Sequence, residues 1–583
     1  MNSVSELKIE TGAQQLAEAI KAQGVERVFL YPGGTIAPLL DELVKIGLEY
    51  VCCRSEQGAG FAALAAAKIT GRPQIVMVTS GPGATNALTP VADAYFDSVP
   101  LILIAGQVGT ADINSQRKVR QTGFQEIDTI AVYQPVAKLT KRVSRTDYLP
   151  ALMASVFTAV SSGRPGPAVL ELPMDVQRSV ATVTPATATA LTWDFLEPTT
   201  PVMPTLAAET IAELLAHLRR ARRPLLLLGN GVYLADAVEE CRAFLAATRV
   251  PVVSSFPGLG IIPCAHPLNY GYIGYSGEYF ANLALNEADL VLCLGARLDL
   301  RQTGSEIQHF KHNKTLVRVD VDMRELREGR VQADLHIHCD LRTFFSALSS
   351  QAVPALDTRA WCERIDGWRS QYRSDVFYQH ELLSSYHVIK HFSQQTQFQK
   401  LVVTTGVGTH QQLVARYFDF DFPARRWLTS SGLGTMGFDL PAIIGAMMCG
   451  AGPKLGLCFV GDGSLQMNLQ ELAMLKEFSL PIKVIVLNNQ RLGIVSQFQL
   501  QNWDSDHATG NKYNPDFAAI ARAYDIPAWT CSDKAQLPKL VAEVLAEPGP
   551  ALLQCHINSN EDLKPMLLAG QTLAEMFPFS EQK

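Results

Sequence analysis

Short apolar runs rich in β-branched residues, most of them ending at glycine or a small polar residue, recur at 74–79, 100–106, 224–229, 289–295, 401–406, 455–461 and 482–488. Between many of them lie stretches with helical spacing, such as 56–70 and 465–478. Strands separated by helices lie parallel, with both faces of the sheet covered. An antiparallel sandwich would show closer turns. The expected fold class is therefore α/β, built on doubly wound parallel sheets. A chain of 583 residues exceeds one core. Residues 182–204, rich in Thr, Ala and Pro with little periodicity, have the composition of a linker. A weaker break at 351–375 holds a loop and a Trp- and Arg-bearing helix. The expected domains are 1–181, 205–350 and 376–570.

Composition narrows the function. With 47% hydrophobic residues there is ample material for buried sheets, and a net charge of −6 argues against a nucleic-acid or anionic-membrane partner. Gly, Pro or a charge interrupts every apolar run within about 10 residues, short of a membrane span. The polar first ten residues lack the apolar core of a secretory signal. Eleven cysteines without C-x-x-C spacing read as buried, reduced thiols of a cytoplasmic protein, with no zinc expected.

The most informative segment is Gly461-Asp462-Gly463-Ser464, followed by a helix-like stretch, a strand-like run and Asn488-Asn489. Read physically it is strand, tight turn, helix, strand. A crossover puts Asp462 and Asn489 on the same edge of a parallel sheet, where such sheets bind ligands. One carboxylate, one amide oxygen and a loop carbonyl are hard, sparse ligands. Mg²⁺ accepts such a set and completes its octahedron from a diphosphate and water. Gly461 and Gly463 let the backbone approach phosphates, and the following helix offers N–H groups. Gly-Asp-Gly alone is also what any strand-to-helix turn favours; joined to Asn-Asn one crossover later, it looks like the thiamine diphosphate fingerprint.

That cofactor needs a carboxyl group at its pyrimidine end, best held in an apolar site, to support removal of the thiazolium C2 proton. Glu56, in Arg54-Ser55-Glu56-Gln57-Gly58-Ala59, follows an apolar run and opens an Ala-rich helix. An acid in a first helical turn is also favoured by the helix dipole alone. Its neighbours in sequence are the turn Tyr31-Pro32-Gly33-Gly34-Thr35 and the loop Thr79-Ser80-Gly81-Pro82-Gly83-Ala84-Thr85-Asn86.

These three motifs, in this order, closely resemble those of the acetolactate synthase catalytic-subunit family. Gly163-Arg164-Pro165-Gly166-Pro167 and Trp427-Leu428-Thr429-Ser430 extend the match from about residue 10 to 570. The resemblance implies a thiamine diphosphate-binding fold used twice, with a Rossmann-like domain between. It implies Asp462 and Asn489 as Mg²⁺ ligands, joined by the backbone carbonyl of Arg491. Val407, Gly408, Thr409 and His410, with Gly461, Gly463 and Ser464, would line the diphosphate pocket, although a core or loop role suits His410 equally on chemistry alone. Gly434 and Met436 would contact the pyrimidine, Met436 as the wedge that bends the cofactor. Glu56, with Gly34, Phe124 and Gln125 near the substrate, makes up the candidate catalytic set. Glu56 would serve a cofactor held by another subunit, so a homodimer or homotetramer is expected, with a small regulatory subunit as a further partner.

The central loops also resemble the flavin site of the biosynthetic synthases. They contain Gly229, Asn230, Gly231, Gly258, Tyr275, Gly277, Gly295, Arg297, Asp299, Asp320 and Asp340, with Arg164 from the preceding domain. Bound FAD in a structural role is expected. The acceptor side departs from the family: Gly109 stands where the synthases usually have Pro, Met174 where they have Lys, Leu300 where they have Asp and Phe498 where they have Trp. The segment 111–123 is longer and more basic, with Arg117, Lys118 and Arg120, and Arg301 would guard the acceptor channel.

The leading expectation is a carboligase that decarboxylates pyruvate and joins the two-carbon unit to a second 2-keto acid, the chemistry of branched-chain amino acid biosynthesis. The altered acceptor side keeps open transfer to a nucleotide-linked keto-sugar. A pyruvate oxidase or decarboxylase is a further alternative. A non-catalytic relic would have lost its costly residues, whereas Glu56, Asp462 and Asn489 are all present.

Overall fold

The computed structural model describes residues 9–114, 119–182, 206–449, 454–510 and 513–582. From residue 183 onward the expected linker lies outside the described residues. Among those described, three six-stranded sheets, each wholly parallel, carry the architecture, as the alternating pattern predicts. Their inner strands read as continuous apolar runs because both faces are covered: Leu101–Gln107, Pro224–Leu228, Leu290–Leu294 and Ile482–Asn488 are buried at every position.

The N-terminal sheet runs, in space, Glu49–Cys52, Arg27–Leu30, Gln74–Val78, Leu101–Gln107, Ala168–Pro173, Leu139–Arg142. The C-terminal sheet runs Arg425–Thr429, Leu401–Thr405, Leu455–Gly461, Ile482–Asn488, Ala551–His556, Ala528–Cys531. Numbered along the chain, both follow the order 2-1-3-4-6-5, so one plan is used twice without a short repeat in the sequence. The central sheet is Asn269–Tyr272, Val252–Ser254, Pro224–Leu228, Leu290–Leu294, Thr315–Asp320, Leu335–His338, the 3-2-1-4-5-6 order of doubly wound nucleotide-binding sheets.

The chain divides into two compact units. One contains the N-terminal sheet together with the segments at 430–449 and 468–480; the other contains the central and C-terminal sheets. In the first, Ser55 caps the Glu56–Thr70 helix by accepting from Gly58 N–H, and Gly71 ends it in the left-handed conformation. The Ala-rich face of this helix lets the Asp439–Met447 helix pack backbone to backbone: a Cβ on Gly445 would lie 1.9 Å from the Ala62 carbonyl oxygen. In the second, the helix expected inside 351–375 is Arg359–Gln371. Its Trp361 Nε1 donates to the Pro224 carbonyl at 3.1 Å, and Trp361 and Ile365 join the core beneath the central sheet.

One expected element is broken. The helical spacing over 465–478 becomes a turn at Asp462–Leu465, a 3₁₀ turn at Leu469–Glu471 and a helix at Leu472–Glu477. Asn468 interrupts it, with φ −136° and ψ 32°, and spends its side chain on tertiary hydrogen bonds that outweigh local helix propensity. Among the described residues no helix is long and apolar enough to cross a membrane, and no disulfide joins the cysteines.

The backbone contact at Gly445 gives a direct test. Gly445→Ala should force the two helices apart at a cost of about 1–3 kcal/mol, visible as a thermal midpoint lowered by several degrees. Gly367→Ala, whose Cβ would meet nothing within 4 Å, should leave the midpoint unchanged or slightly raised.

Candidate active site

In the C-terminal sheet the strand order reverses between Leu401–Thr405 and Leu455–Gly461. The loop after the first strand supplies Val407 and Gly408, then the Thr409–Tyr417 helix opens with Thr409 and His410. The His410 ring lies against both strand tips: a Cβ on Gly408 would be 3.1 Å from its Nδ1, and one on Gly461 3.2 Å. Burial lowers the His410 pKa to about 4, so the imidazole is neutral near pH 7. Its Nε2 and the Thr409 hydroxyl are buried without a hydrogen-bond partner. Each such orphan costs about 1–3 kcal/mol, a cost that a polyanionic ligand in the crevice removes.

Asp462 is the first residue of its short turn and is almost fully buried. The register pairs Gly461 with Leu487, which sets Asp462 beside the Asn488-Asn489 tip. Asn514 bridges the two tips, donating from Nδ2 to Asp462 and, at 3.0 Å, to Asn488 Oδ1. Asn489 Oδ1 accepts from Arg491 N–H at 3.2 Å across a reversal in which Gln490 has φ +59°. Gly493 closes the group, since a Cβ there would stand 2.9 Å from both Asn489 Nδ2 and Thr409 Oγ1. The structure thus gathers Gly408, Thr409, His410, Gly461, Asp462 and Asn489, with Gly463 and Ser464 on the turn between the strands. Asn514 was not singled out from the sequence; it lies in an aperiodic stretch whose only local signal is Asn-Pro.

The N-terminal unit has its own reversal, between Arg27–Leu30 and Gln74–Val78. The Pro-Gly-Gly turn packs on the loop after the second strand: Thr35 Oγ1 lies 2.9 Å from Thr79 Oγ1 and accepts from Ser80 N–H at 3.0 Å. A Cβ on Gly33 would fall 2.4 Å from that of Thr79, while Gly34 is open to solvent. Glu56 is buried, and Asn86 donates from Nδ2 to its Oε2 at 3.0 Å. Gly83 sits within 3.5 Å of Glu56 Oε1, measured from where its Cβ would be. Gly81, at φ +59°, backs onto Gln125, at φ +61°, with 2.7 Å from its would-be Cβ to the Gln125 carbonyl. Glu56 and Gln125 therefore meet the same loop, and Phe124 beside them is 84% exposed. Asn86 was legible as part of a motif but not as the partner of Glu56.

In the same unit, the Ser430 hydroxyl accepts from Gly434 and Thr435 N–H at 3.0 and 2.9 Å and donates to Asp93 at 2.9 Å. Asp97, paired with Lys68 at 2.6 Å, accepts from Ser431 and Gly432 N–H. This holds Gly434, at φ +78°, and half-buried Met436 in a defined loop. Burial, then the nearby Asp97 charge, push the Asp93 carboxyl well above the usual range.

In the central sheet Gly229 and Gly295 sit at the reversal between strands one and four, where doubly wound sheets bind nucleotides. Their fit there is tight: a Cβ on Gly229 would be 2.1 Å from the Gly295 carbonyl, and Gly231 N–H donates to that carbonyl at 3.0 Å. Gly258 and Gly277 are likewise pressed against backbone, and Asn230 precedes the Gly231–Leu234 turn. Asp299 caps the Leu300–Thr303 turn and pairs with Arg297 at 2.6 Å; Asp340 caps the Leu341–Ser349 helix; Asp320 accepts from Asp322 N–H. Tyr275 packs between the apolar clusters. The buried Ser255 hydroxyl at this edge has no partner, an observation that suits a bound nucleotide. Arg164, in the other unit, donates to Ser98 Oγ at 2.9 Å.

Of the residues expected on the acceptor side, Gly109 leads into the Thr110–Asp112 turn, which Asp175 holds through Thr110, and Met174 begins the Met174–Arg178 helix. Leu300, Arg301 and Arg120 are exposed; Phe498 is half exposed, its ring 5.5 Å from that of Trp503. Arg117 and Lys118 lie outside the described residues.

Three family models match in order along the chain: the thiamine pyrophosphate enzyme N-terminal TPP binding domain at 10–132, the central domain at 211–348 and the C-terminal TPP binding domain at 406–555. The acetolactate synthase isozyme 2 large subunit of Escherichia coli (strain K12) is 36% identical over 97% of this chain and 99% of its own length. The acetolactate synthase large subunit of Lactococcus lactis is 34% identical over 99% and 97%. Acetolactate synthase 2, chloroplastic, of Zea mays is 34% identical over 97% and 88%.

Because Gly493 lets Thr409 and Asn489 converge, Gly493→Ala should weaken thiamine diphosphate and Mg²⁺ binding by about tenfold or more, or about 1.4 kcal/mol, with the thermal midpoint of the cofactor-free chain unchanged. Fluorescence titration checks it; wild-type affinity would show that this convergence does not serve the ligand.

Proposed function

Because the chain belongs to the acetolactate synthase large-subunit family of thiamine pyrophosphate enzymes, we propose that it decarboxylates pyruvate and transfers the two-carbon unit to a second 2-keto acid, with Mg²⁺ as its metal and FAD bound in a structural role. The observation that carries this reading is the crevice of the C-terminal sheet. Two buried, unpartnered polar atoms, Thr409 Oγ1 and His410 Nε2, lie there near the tips bearing Asp462 and Asn489.

When bound, thiamine diphosphate supplies a carbon nucleophile and a sink for the electron pair left by departing CO₂. The residues of this chain do the rest. Asp462, Asn489 and the Arg491 carbonyl would hold Mg²⁺, and Thr409 and neutral His410 would donate to the diphosphate. Gly408 and Gly461 leave room for the His410 ring that does so. The Gly434–Met436 loop would receive the pyrimidine, and Glu56, its Oε2 held by Asn86, would be the acid that serves it. Gln125, with Phe124 and Gly34, faces the substrate. FAD would occupy the central-sheet reversal at Gly229 and Gly295, beside the Ser255 hydroxyl.

The proposal includes domains at 1–181, 205–350 and 376–570. It also includes a cytoplasmic location and a homodimer or homotetramer, since a second copy would hold the cofactor that Glu56 serves. The words "large subunit" in the relatives' names point to a small regulatory partner. Transfer to a nucleotide-linked keto-sugar stays as a second reading, favoured by Met174 and Phe498 in place of the family's Lys and Trp.

Purified protein with pyruvate, thiamine diphosphate and Mg²⁺ should yield acetoin after acid treatment. Product that forms only when a keto-sugar is added, with the mass gain of acetaldehyde, would select the second reading. Glu56→Gln should lose at least about a hundredfold in turnover while keeping cofactor affinity; near-normal turnover would show that the acid is elsewhere.

A further inference from the structure

The residues on both sides of Glu56 are gripped by one short segment, Asn468 to Glu471. Glu471 is completely buried. Both of its oxygens accept from the Arg54 N–H at 3.1 Å, and Oε1 also accepts from the Ser55 hydroxyl at 3.1 Å. Gln470 reaches the same hydroxyl at 3.4 Å. Beyond Glu56, Asn468 Nδ2 donates to Gln57 Oε1 at 3.3 Å and to the Gly437 carbonyl at 2.7 Å. Gly58 admits the carboxylate, since a Cβ there would lie 2.1 Å from Glu471 Oε1. On the outside, Arg54 pairs with Glu477.

Burial raises the Glu471 pKa to about 6, against the pull of its donors. Burying an acid costs several kcal/mol before compensation, whereas packing alone would be served by a neutral side chain. The geometry explains the expense. Ser55 Oγ is the helix cap, and Arg54 N–H lies just before it, so Glu471 holds the two residues that determine how the chain enters the helix at Glu56. The break at Asn468 stands three residues before Glu471, and the Asn468 side chain ties the segment to Gln57 and Gly437.

We propose that Glu471 is a positioning residue for Glu56: it clamps the Arg54–Ser55 turn so that the Glu56 carboxylate is presented in one orientation, while Asn468 ties the same turn to the end of the Gly434–Met436 loop. This rests on the proposed function, which makes Glu56 the acid that serves the cofactor. Glu471 does not touch the reacting atoms; it acts through the backbone that carries Glu56.

The test is Glu471→Gln in the full-length chain, with Ser55→Ala removing one partner from the other side. Glu471→Gln keeps the shape but turns an N–H₂ toward a backbone N–H. Turnover of the holoenzyme should fall by between about tenfold and a hundredfold, and exchange of the thiamine diphosphate C2 proton should slow by a similar factor. KM for pyruvate and cofactor affinity should stay within about twofold. In the cofactor-free chain, amide hydrogen exchange at Arg54 and Ser55 should quicken, and Ser55→Ala should reproduce part of each effect. Wild-type turnover and C2 exchange in Glu471→Gln would overturn the proposal. So would a loss of turnover matched by an equal loss of cofactor affinity, with exchange at Arg54 and Ser55 unchanged. If Glu471→Gln does not fold, Ser55→Ala decides by the same measurements. Failure of the wild-type protein to use pyruvate would sink the functional reading alone, because amide exchange and C2 exchange require no substrate.

Discussion

A parallel sheet carries the carboxyl ends of all its strands on one edge, and where the strand order reverses, neighbouring connections leave toward opposite faces and open a crevice. Here that reversal falls between Arg27–Leu30 and Gln74–Val78, between Pro224–Leu228 and Leu290–Leu294, and between Leu401–Thr405 and Leu455–Gly461. Gly33 and Thr79 meet at the first, Gly229 and Gly295 at the second, and Gly408, His410 and Gly461 at the third. At the first the Thr79 side chain, and at the second the Gly295 backbone, leave no room for a Cβ on the facing glycine; at the third the His410 ring would crowd one. The glycines that punctuate the sequence are the steric condition for these crevices.

The polar groups placed around them are expensive. His410 loses its charge to burial, and Asp93 and Glu471 are acids driven toward neutrality by their surroundings. Asp97 shows the other solution, a buried carboxylate matched by Lys68 and two backbone donors. The satisfied groups rigidify loops, as Ser430 does for Gly434 and Thr435. The unsatisfied ones, Thr409 Oγ1 and His410 Nε2, are a cost that a polar partner in the crevice would relieve.

The positions that the proposed function gives to the cofactor keep the family motifs, while those it gives to the acceptor do not. Where the synthases usually have Lys and Trp, this chain has Met174, which carries no charge, and Phe498, whose ring lies 5.5 Å from that of Trp503.

Sequence alone determined what depends on local chemistry. Alternating apolar runs and helical stretches dictated parallel α/β sheets, and glycines marked the strand ends where the strand order reverses. An acid after a capping serine marked the start of the Glu56 helix, and Gly-Asp-Gly with Asn-Asn marked the two tips. Tertiary structure decided what depends on residues far apart in the chain. The shared 2-1-3-4-6-5 order, Asn514 bridging Asp462 and Asn488, and Asn86 on Glu56 leave no periodic trace, because one hydrogen bond across the fold constrains one residue at each end. The broken helix at Asn468 is the clearest case: its spacing is helical, yet hydrogen bonds to Gln57 and Gly437 outweigh the small per-residue preference that the spacing reports.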